Sequence, residues 1–439
     1  MAPKEGEEGH SASKTETAEA EVAGKEAGDP EAGKAQAGGF HIDFPDGGLR
    51  SWLVVLGAMI VMGCSFGYLS AFGVYESYYL ENQLSHKTSS EIAWIGSLQV
   101  FFQFASGLLS GSLFDKFGSR AVMVPAAIVY VFAVMMTSIC KEYYQFILAQ
   151  GLLGGVGVGF LFTPATASIS HYFRERRGMA MGIATGGSSI GGVLFPIALR
   201  NAFYGHLGFG WGVRVMGFVM LALLAIACAL IRERFPHRQG QMFQPRAFLQ
   251  PSYTCMVGGV FLTMWGFFVP YFYLSEYALD EVHMSVSLAF YLLSIMNGVS
   301  FLGRMIPGII ADKLGRLNML IVVDIITGAI SFCLPQTHSH ASLIVWTAFF
   351  GFFSGSIISL SPAAFAEINP RPQLIGTYMG QAMAVISIAG LTGSPIAGAI
   401  LDNHGWESLS IFMGVVMIAG GACAAIGRFA YEPKLFAKI

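Results

Sequence analysis

Gly303–Arg316 reads GRMIPGIIADKLGR. Arg304 stands inside an apolar run that starts near Met284, and the run stops at Asp312, Lys313 and Arg316 around a glycine. Gly111–Arg120, GSLFDKFGSR, says nearly the same thing earlier in the chain. Gly111, Leu113, Asp115, Lys116 and Gly118 return as Gly308, Ile310, Asp312, Lys313 and Gly315, at an offset of 197 residues. Only the second copy carries the extra charge: Arg304 falls where the first copy has Gly107. A duplicated membrane bundle with one asymmetric cation near its middle is the arrangement that moving a solute across a bilayer requires.

Composition agrees with a membrane setting. Of the 439 residues, 54% are hydrophobic and only 12% charged, about half the charged share of a soluble domain. Such a chain cannot cover a water-facing surface. The net charge of -2 and the lack of a basic cluster with interleaved aromatics give no handle for nucleic acid. The six cysteines sit singly in apolar runs without metal-ligand or redox spacing, so they read as core or lipid-facing thiols. No metal cluster, paired carboxylates or nucleophile–base set appears, so neither a cofactor nor an enzyme activity is expected. Gly187-Ser188-Ser189-Ile190-Gly191 matches G-x-S-x-G only by letter. It lies in an apolar helix rather than on a strand-to-helix turn.

Residues 1–45 are Ala, Glu, Gly and Lys with few large apolar side chains, and are expected to form a disordered tail. They contain no apolar stretch that would serve as a signal peptide, and Met-Ala does not fit the myristoylation pattern. From Trp52 on, apolar runs of about 20 residues alternate with short polar breaks. They number about twelve, from Trp52–Tyr75 to Ser408–Phe429. With the N-terminus placed inside, 20 of the 25 Lys and Arg fall on inner segments, four on outer ones, and Arg304 alone within a span. This bias puts both termini in the cytoplasm and supports an even number of crossings.

The repeat extends past the opening pair. Thr163-Pro164-Ala165 recurs as Ser361-Pro362-Ala363, Gly178 and Gly182 as Gly376 and Gly380, and Gly210-Trp211 as Gly405-Trp406. Two parallel six-helix halves are expected, 46–231 and 251–429, joined by a basic linker over 232–250 and followed by a tail over 430–439. Glycines four apart, such as Gly187/Gly191 and Gly351/Gly355, put small residues on one helix face for close packing.

A charge at mid-span costs at least about 2.5 kcal/mol, so Arg304 must face a cavity or a partner. Its planar fork suits an anionic or carbonyl-rich solute. Asn297 and Ser300, seven and four residues earlier, share its helix face. Asp324 is the other charge within a span; it is a candidate partner for Arg304 or a candidate proton site. Phe66, Tyr68 and Phe72, and Phe267, Phe268 and Tyr271, offer aromatic surfaces for a flat solute. Asp115 and Asp312, each before a glycine turn and a basic residue, are candidate latches at the cytoplasmic side.

Three stretches resemble the monocarboxylate transporter family, in its fungal branch, within the major facilitator superfamily. They are Asp46-Gly47-Gly48 with Trp52, the run from His171 to Gly178 leading into Gly187–Pro196, and GRMIPGIIADKLGRLN from Gly303. The resemblance covers nearly all of the chain from Phe44. It implies an all-α membrane fold with twelve transmembrane helices in two pseudo-symmetric halves, and alternating access to a midplane site. Animal members use a lysine in the first helix and an Asp–Arg pair in the eighth for proton and carboxylate. The arginine carries over to Arg304; the aspartate position falls on Ser300 and the lysine position on Ser70. The antiporter string of drug exporters, G-P-x-x-G-G, reads Gly187-Ser188-Ser189-Ile190-Gly191-Gly192 here. Fungal relatives of this kind include exporters of secondary metabolites and riboflavin uptake carriers.

The expectation is a secondary transporter of a small organic solute in the plasma membrane, with the lipid bilayer, the solute and a proton as its partners. Arg304, Asn297, Ser300, Tyr68, Ser70 and Ser361 would bind the solute. Asp115, Arg120, Asp312 and Arg316 would gate the inner side, and Asp324 is the candidate proton site. A metabolite exporter and a riboflavin-like importer are the alternatives in the same class; a non-transporting membrane sensor is the alternative outside it.

Overall fold

In a bilayer every backbone N–H needs an internal partner, so long apolar runs become helices. The computed structural model describes residues 1, 44–235, 243–369, 371–434 and 437. The tail expected over 1–45 lies outside these residues, apart from positions 1, 44 and 45. Ten helical stretches are long and apolar enough to cross a membrane. We number the helices α1 Leu49–Glu81, α2 Glu91–Phe117, α3 Ser119–Thr137, α4 Tyr143–Ser170, α5 Arg177–Phe203, α6 Gly208–Leu230, α7 Pro251–Asp280 and α8 Val286–Leu314. Arg316–Ser331 is α9, and His340–Ile368 is α10. The last stretch turns at Gly405, which has a non-helical φ of 76°, so it makes two helices, α11 (375–404) and α12 (406–431). Twelve helices therefore stand where about twelve runs were read, and no strand occurs among the described residues.

The repeat is visible in the turns. Gly118 ends α2 at φ 83° and Gly315 ends α8 at φ 102°, a left-handed conformation that costs glycine nothing. Gly208 (φ 67°) and Gly405 (φ 76°) open α6 and α12 in the same way. The glycine equivalent to Gly405 is therefore Gly208, two residues before the Gly210 read from the Gly-Trp pair. The loops keep the offset of 197: Ser119 and Arg316 each follow the turn glycine as first residue of the next helix.

Glycine faces bring the halves of the chain together. A Cβ on Gly308 of α8 would sit 2.5 Å from the Gly178 carbonyl of α5, and one on Gly376 of α11 would sit 2.6 Å from the Gly111 carbonyl of α2. These two crossings are counterparts under the repeat. Gly191 of α5 lies equally close to Gly63 of α1, where α1 takes a π-helical turn over Gly63–Gly67.

Candidate functional site: a cavity floored by Arg304 and sealed by paired carboxylates

A cavity of about 350 Å³ lies between α1, α2, α5, α7, α8 and α10. Its floor is polar: Arg304 and Asn297 from α8 and Ser188 from α5. Its walls are aromatic: Phe66 and Phe72 of α1, Phe267, Phe268 and Tyr271 of α7, and Phe290 of α8. The Phe267 and Tyr271 rings stack at 5.2 Å. The lining runs up to Glu76, Leu279 and Val286, at the ends of α1, α7 and α8 away from the Asp115 and Asp312 loops. The cavity thus opens on the side opposite those loops.

Arg304 is 3% exposed. One of its terminal nitrogens donates to the Thr185 carbonyl and the Ser188 hydroxyl, both on α5. Its Nε has no hydrogen-bond partner among the described residues, and no described carboxylate lies within ion-pair reach. The guanidinium therefore keeps donor capacity beside the cavity and is not neutralised there. Asn297 donates to Leu293 O at 3.0 Å. It lies against Gly192 of α5, where a Cβ would meet its side chain at 2.9 Å.

The other expected binding residues divide. Ser70 lines the cavity. Tyr68 faces the interior of the first half, where its hydroxyl bonds Tyr75; residues two apart on a helix point to different faces. Ser300 bonds Ser189 of α5 at 2.7 Å, in the α5–α8 contact and not in the lining. Ser361 bonds its own helix at Ile357 O, 2.7 Å, and also stands outside the lining. Asp324 is not Arg304's ion-pair partner; it is buried on α9, away from the cavity.

Beneath the floor, two pseudo-symmetric sets of bonds join the halves on the loop side. Asp115, at the end of α2, accepts from Gly376 N (3.0 Å) and from Thr377 N and Oγ1 (2.6 Å each) at the start of α11. Asp312, at the end of α8, accepts from Gly178 N (2.7 Å) and Met179 N (2.8 Å) at the start of α5. Each carboxylate therefore caps a helix of the other half, satisfying free N–H groups and meeting the positive end of the helix dipole. Gly178 and Gly376 leave room for this, because a Cβ at either would press on the carboxylate. Arg316 adds bonds to Asp312 (3.1 Å), to Glu367 of α10 and to the carbonyls of Arg174 and Glu175. Arg177 reaches the same Glu367 at 3.2 Å. Arg120 is exposed and makes none of these bonds.

Sequence reading missed three parts of this closure. Glu367 and Arg177 have no counterpart in the repeat. Asp46 accepts Arg174 N and Glu175 N at 2.7 Å each and Arg176 N at 3.3 Å. It thereby fixes the loop whose carbonyls hold Arg316. The signal was Asp46-Gly47-Gly48 itself, which was read for resemblance and not for what a lone aspartate can cap. His171 stands just after α4. It packs between Phe114 and Phe235, with ring centroids at 5.3 and 4.3 Å. Burial pushes its ring well below the ordinary 6.5, to about 3, against the pull of Glu233.

Residues 52–338 and 256–436 match the Major Facilitator Superfamily. The chain is 49% identical to the aspyridones efflux protein apdF of Emericella nidulans, over 87% of this chain and 78% of that one. It is 40% identical to the fujikurins efflux protein of Gibberella fujikuroi, over 90% and 86%. Among solved structures, the human organic anion transporter MFSD10 superposes with a TM-score of 0.69 at 15% identity, over 85% of this chain and 98% of that one. The last likeness concerns the fold alone. The twelve-helix fold, the cavity between its halves and the match over nearly all of its length make this chain a transporter of the Major Facilitator Superfamily.

Proposed function

We propose that the protein exports an organic secondary metabolite with a flat apolar body and an acidic or carbonyl-bearing head. The observation that carries this reading is the cavity itself: an uncompensated guanidinium at the floor and aromatic rings along the walls. The head would take the free donors of Arg304, as planar acceptors do, while Phe267, Phe268 and Tyr271 cover the body. A volume of about 350 Å³ suits a drug-sized ligand better than the small acid of the monocarboxylate expectation. Two relatives are named as efflux proteins for metabolites, which favours export over uptake.

In this reading the two halves, 46–231 and 251–429, rock about the cavity. The loop side is cytoplasmic, as the Lys and Arg bias favours, and the membrane is the plasma membrane. The state described here is then the releasing state, open outward and latched inward. Inward loading requires the Asp115 and Asp312 bonds to break and the α5–α8 contact at Arg304 to part.

The test is efflux of a metabolite panel from loaded proteoliposomes. Arg304→Gln should lower transport of the acidic solutes at least tenfold, while Tyr68→Phe, outside the cavity, should change it less than twofold. Equal flux in Arg304→Gln and the parent protein across the panel would refute the reading.

A further inference from the structure

We propose that Asp324 of α9, with Thr263 of α7 beside it, is a proton-binding site built into the second half and separate from the solute cavity. Asp324 and Thr263 are both 0% exposed. Neither carboxyl oxygen of Asp324 has a hydrogen-bond partner among the described residues, and neither does the Thr263 hydroxyl. The Thr263 hydroxyl lies beside the carboxyl. Two glycines of α12 close the site. A Cβ on Gly421 would stand 3.2 Å from Asp324 Cβ, and one on Gly420 would collide with Thr263.

Among the described residues no charge pairs with the carboxyl. Helix α9 packs against α8, α10 and α12 and meets α7 at Thr263; Lys313 of α8 and Glu276 and Asp280 of α7 are exposed, and the other charged groups are engaged elsewhere or exposed. Arg304 is bound to α5. Asp312 and Glu367 belong to the latch. Arg428 of α12 holds Asn318 Oδ1 at 2.8 Å and the Glu432 carbonyl at 2.7 Å. Asp402 and Glu407 flank the Gly405 turn and are exposed. Cys423 is bonded to the Cys255 carbonyl of α7. None of these forms an ion pair with Asp324 among the described residues.

An ionised carboxylate buried without cation or donor costs several kcal/mol, and adding one proton removes the charge. A hard metal cation is a poorer occupant. It takes about six oxygens or more, whereas the two side chains offer three, and the carbonyls around them belong to helical ladders. Thr327 and Ser331, three and seven residues on, continue the Asp324 face. Both are fully buried hydroxyls, and Ser410 of α12 bonds the Ser331 carbonyl at 2.7 Å. This row leads from the carboxyl toward the end of α9 on the side where the cavity opens. One proton is bound or released at the carboxyl, with no other bond made or broken.

The site is tested without any solute, so its failure would not touch the export reading. Full-length protein in phosphatidylcholine vesicles is followed by infrared spectroscopy while the buffer is titrated from about pH 5 to about pH 9. A protonated-carboxyl band should persist at about pH 7 in the parent, vanish in Asp324→Asn and return, shifted, in Asp324→Glu. Thr263→Val should move the band without abolishing it, which keeps a readout should Asp324→Asn fail to fold. Parent and Asp324→Asn spectra that coincide across the range would overturn the proposal. So would a parent band that sodium removes and potassium does not, which would mark a sodium site instead.

Discussion

The two D-K-x-G loops begin alike and end differently. In both, the aspartate crosses to the other half and caps a helix N-terminus, α11 for Asp115 and α5 for Asp312. In both, the residue after the turn glycine then bonds a glutamate. In the first copy that residue is Ser119, which bonds Glu233 just past α6 through its amide (2.9 Å) and its hydroxyl. In the second copy it is Arg316, which bonds Glu367, a residue that Arg177 of the other half also holds. The first loop thus leans on the linker of its own half, while the second is bolted across the molecule. Duplication supplied the carboxylate caps twice, and the second copy adds the Arg316–Glu367–Arg177 set. The same asymmetry holds at the floor. Gly107, in Arg304's place, has Thr163 Oγ1 3.1 Å and Met383 Cβ 3.3 Å from where its Cβ would stand, so no long side chain fits there.

The comparison can be broken most severely by removing both caps. Asp115→Ala with Asp312→Ala deletes at least four charge-assisted hydrogen bonds of about 1.5–3 kcal/mol each. The closed loop side should lose at least about 3 kcal/mol, a change of a hundredfold or more in its population. A cysteine placed at Ser361 in a cysteine-free background should then react with an impermeant maleimide from the loop side. An unchanged alkylation rate would mean that the carboxylates are not the latch.

A milder intervention sharpens the asymmetry. Arg316→Gln removes the bolt and should weaken closure by about 2 to 3 kcal/mol. Arg120→Gln, at an exposed residue, should stay within about 0.5 kcal/mol. The same alkylation assay ranks the two, and equal effects would mean that Arg316 does not bolt the closure.

The smallest effect concerns pH and belongs to the first loop alone. His171 is held neutral by burial, with its ring near 3 rather than the ordinary 6.5. The folded value lies below the unfolded one, so the packed ring costs nothing above about pH 6.5. Stability then falls as pH drops from about 6.5 toward about 3, because only the unpacked ring can take a proton. Between about pH 6.5 and pH 5 the loss should approach 2 kcal/mol. His171→Phe should flatten that slope in a thermal-unfolding series. A slope identical to the parent's would remove His171 as its cause.

Much of this was legible in the sequence because it rests on hydrophobicity and repetition. The crossings, the doubled loops with Asp115 and Asp312 at matching helix ends, and Arg304 as an unusual cation can all be read from letters. What the letters hid is mostly rotation and backbone. Tyr68 and Ser70 look like neighbours, yet the helix turns them to opposite sides, and only Ser70 reaches the cavity. Ser300 shares a face with Asn297 and Arg304, but α5 comes so close there that Ser189 occupies it. The partners of both carboxylates are main-chain amides, which leave no side-chain signature. The Gly-Trp pair also misplaces the repeat by two residues at Gly210, which the turn at Gly208 reveals.

One small feature bears on how the protein is handled at the bench. Asp46 sits ahead of the first crossing, yet it organises the connection that receives Arg316 on the far half. Trimming the polar head of the chain back to Leu49 would leave every crossing intact and still remove a working piece of the closure. A truncated version would be expected to insert normally and leak, so expression boundaries belong upstream of Pro45.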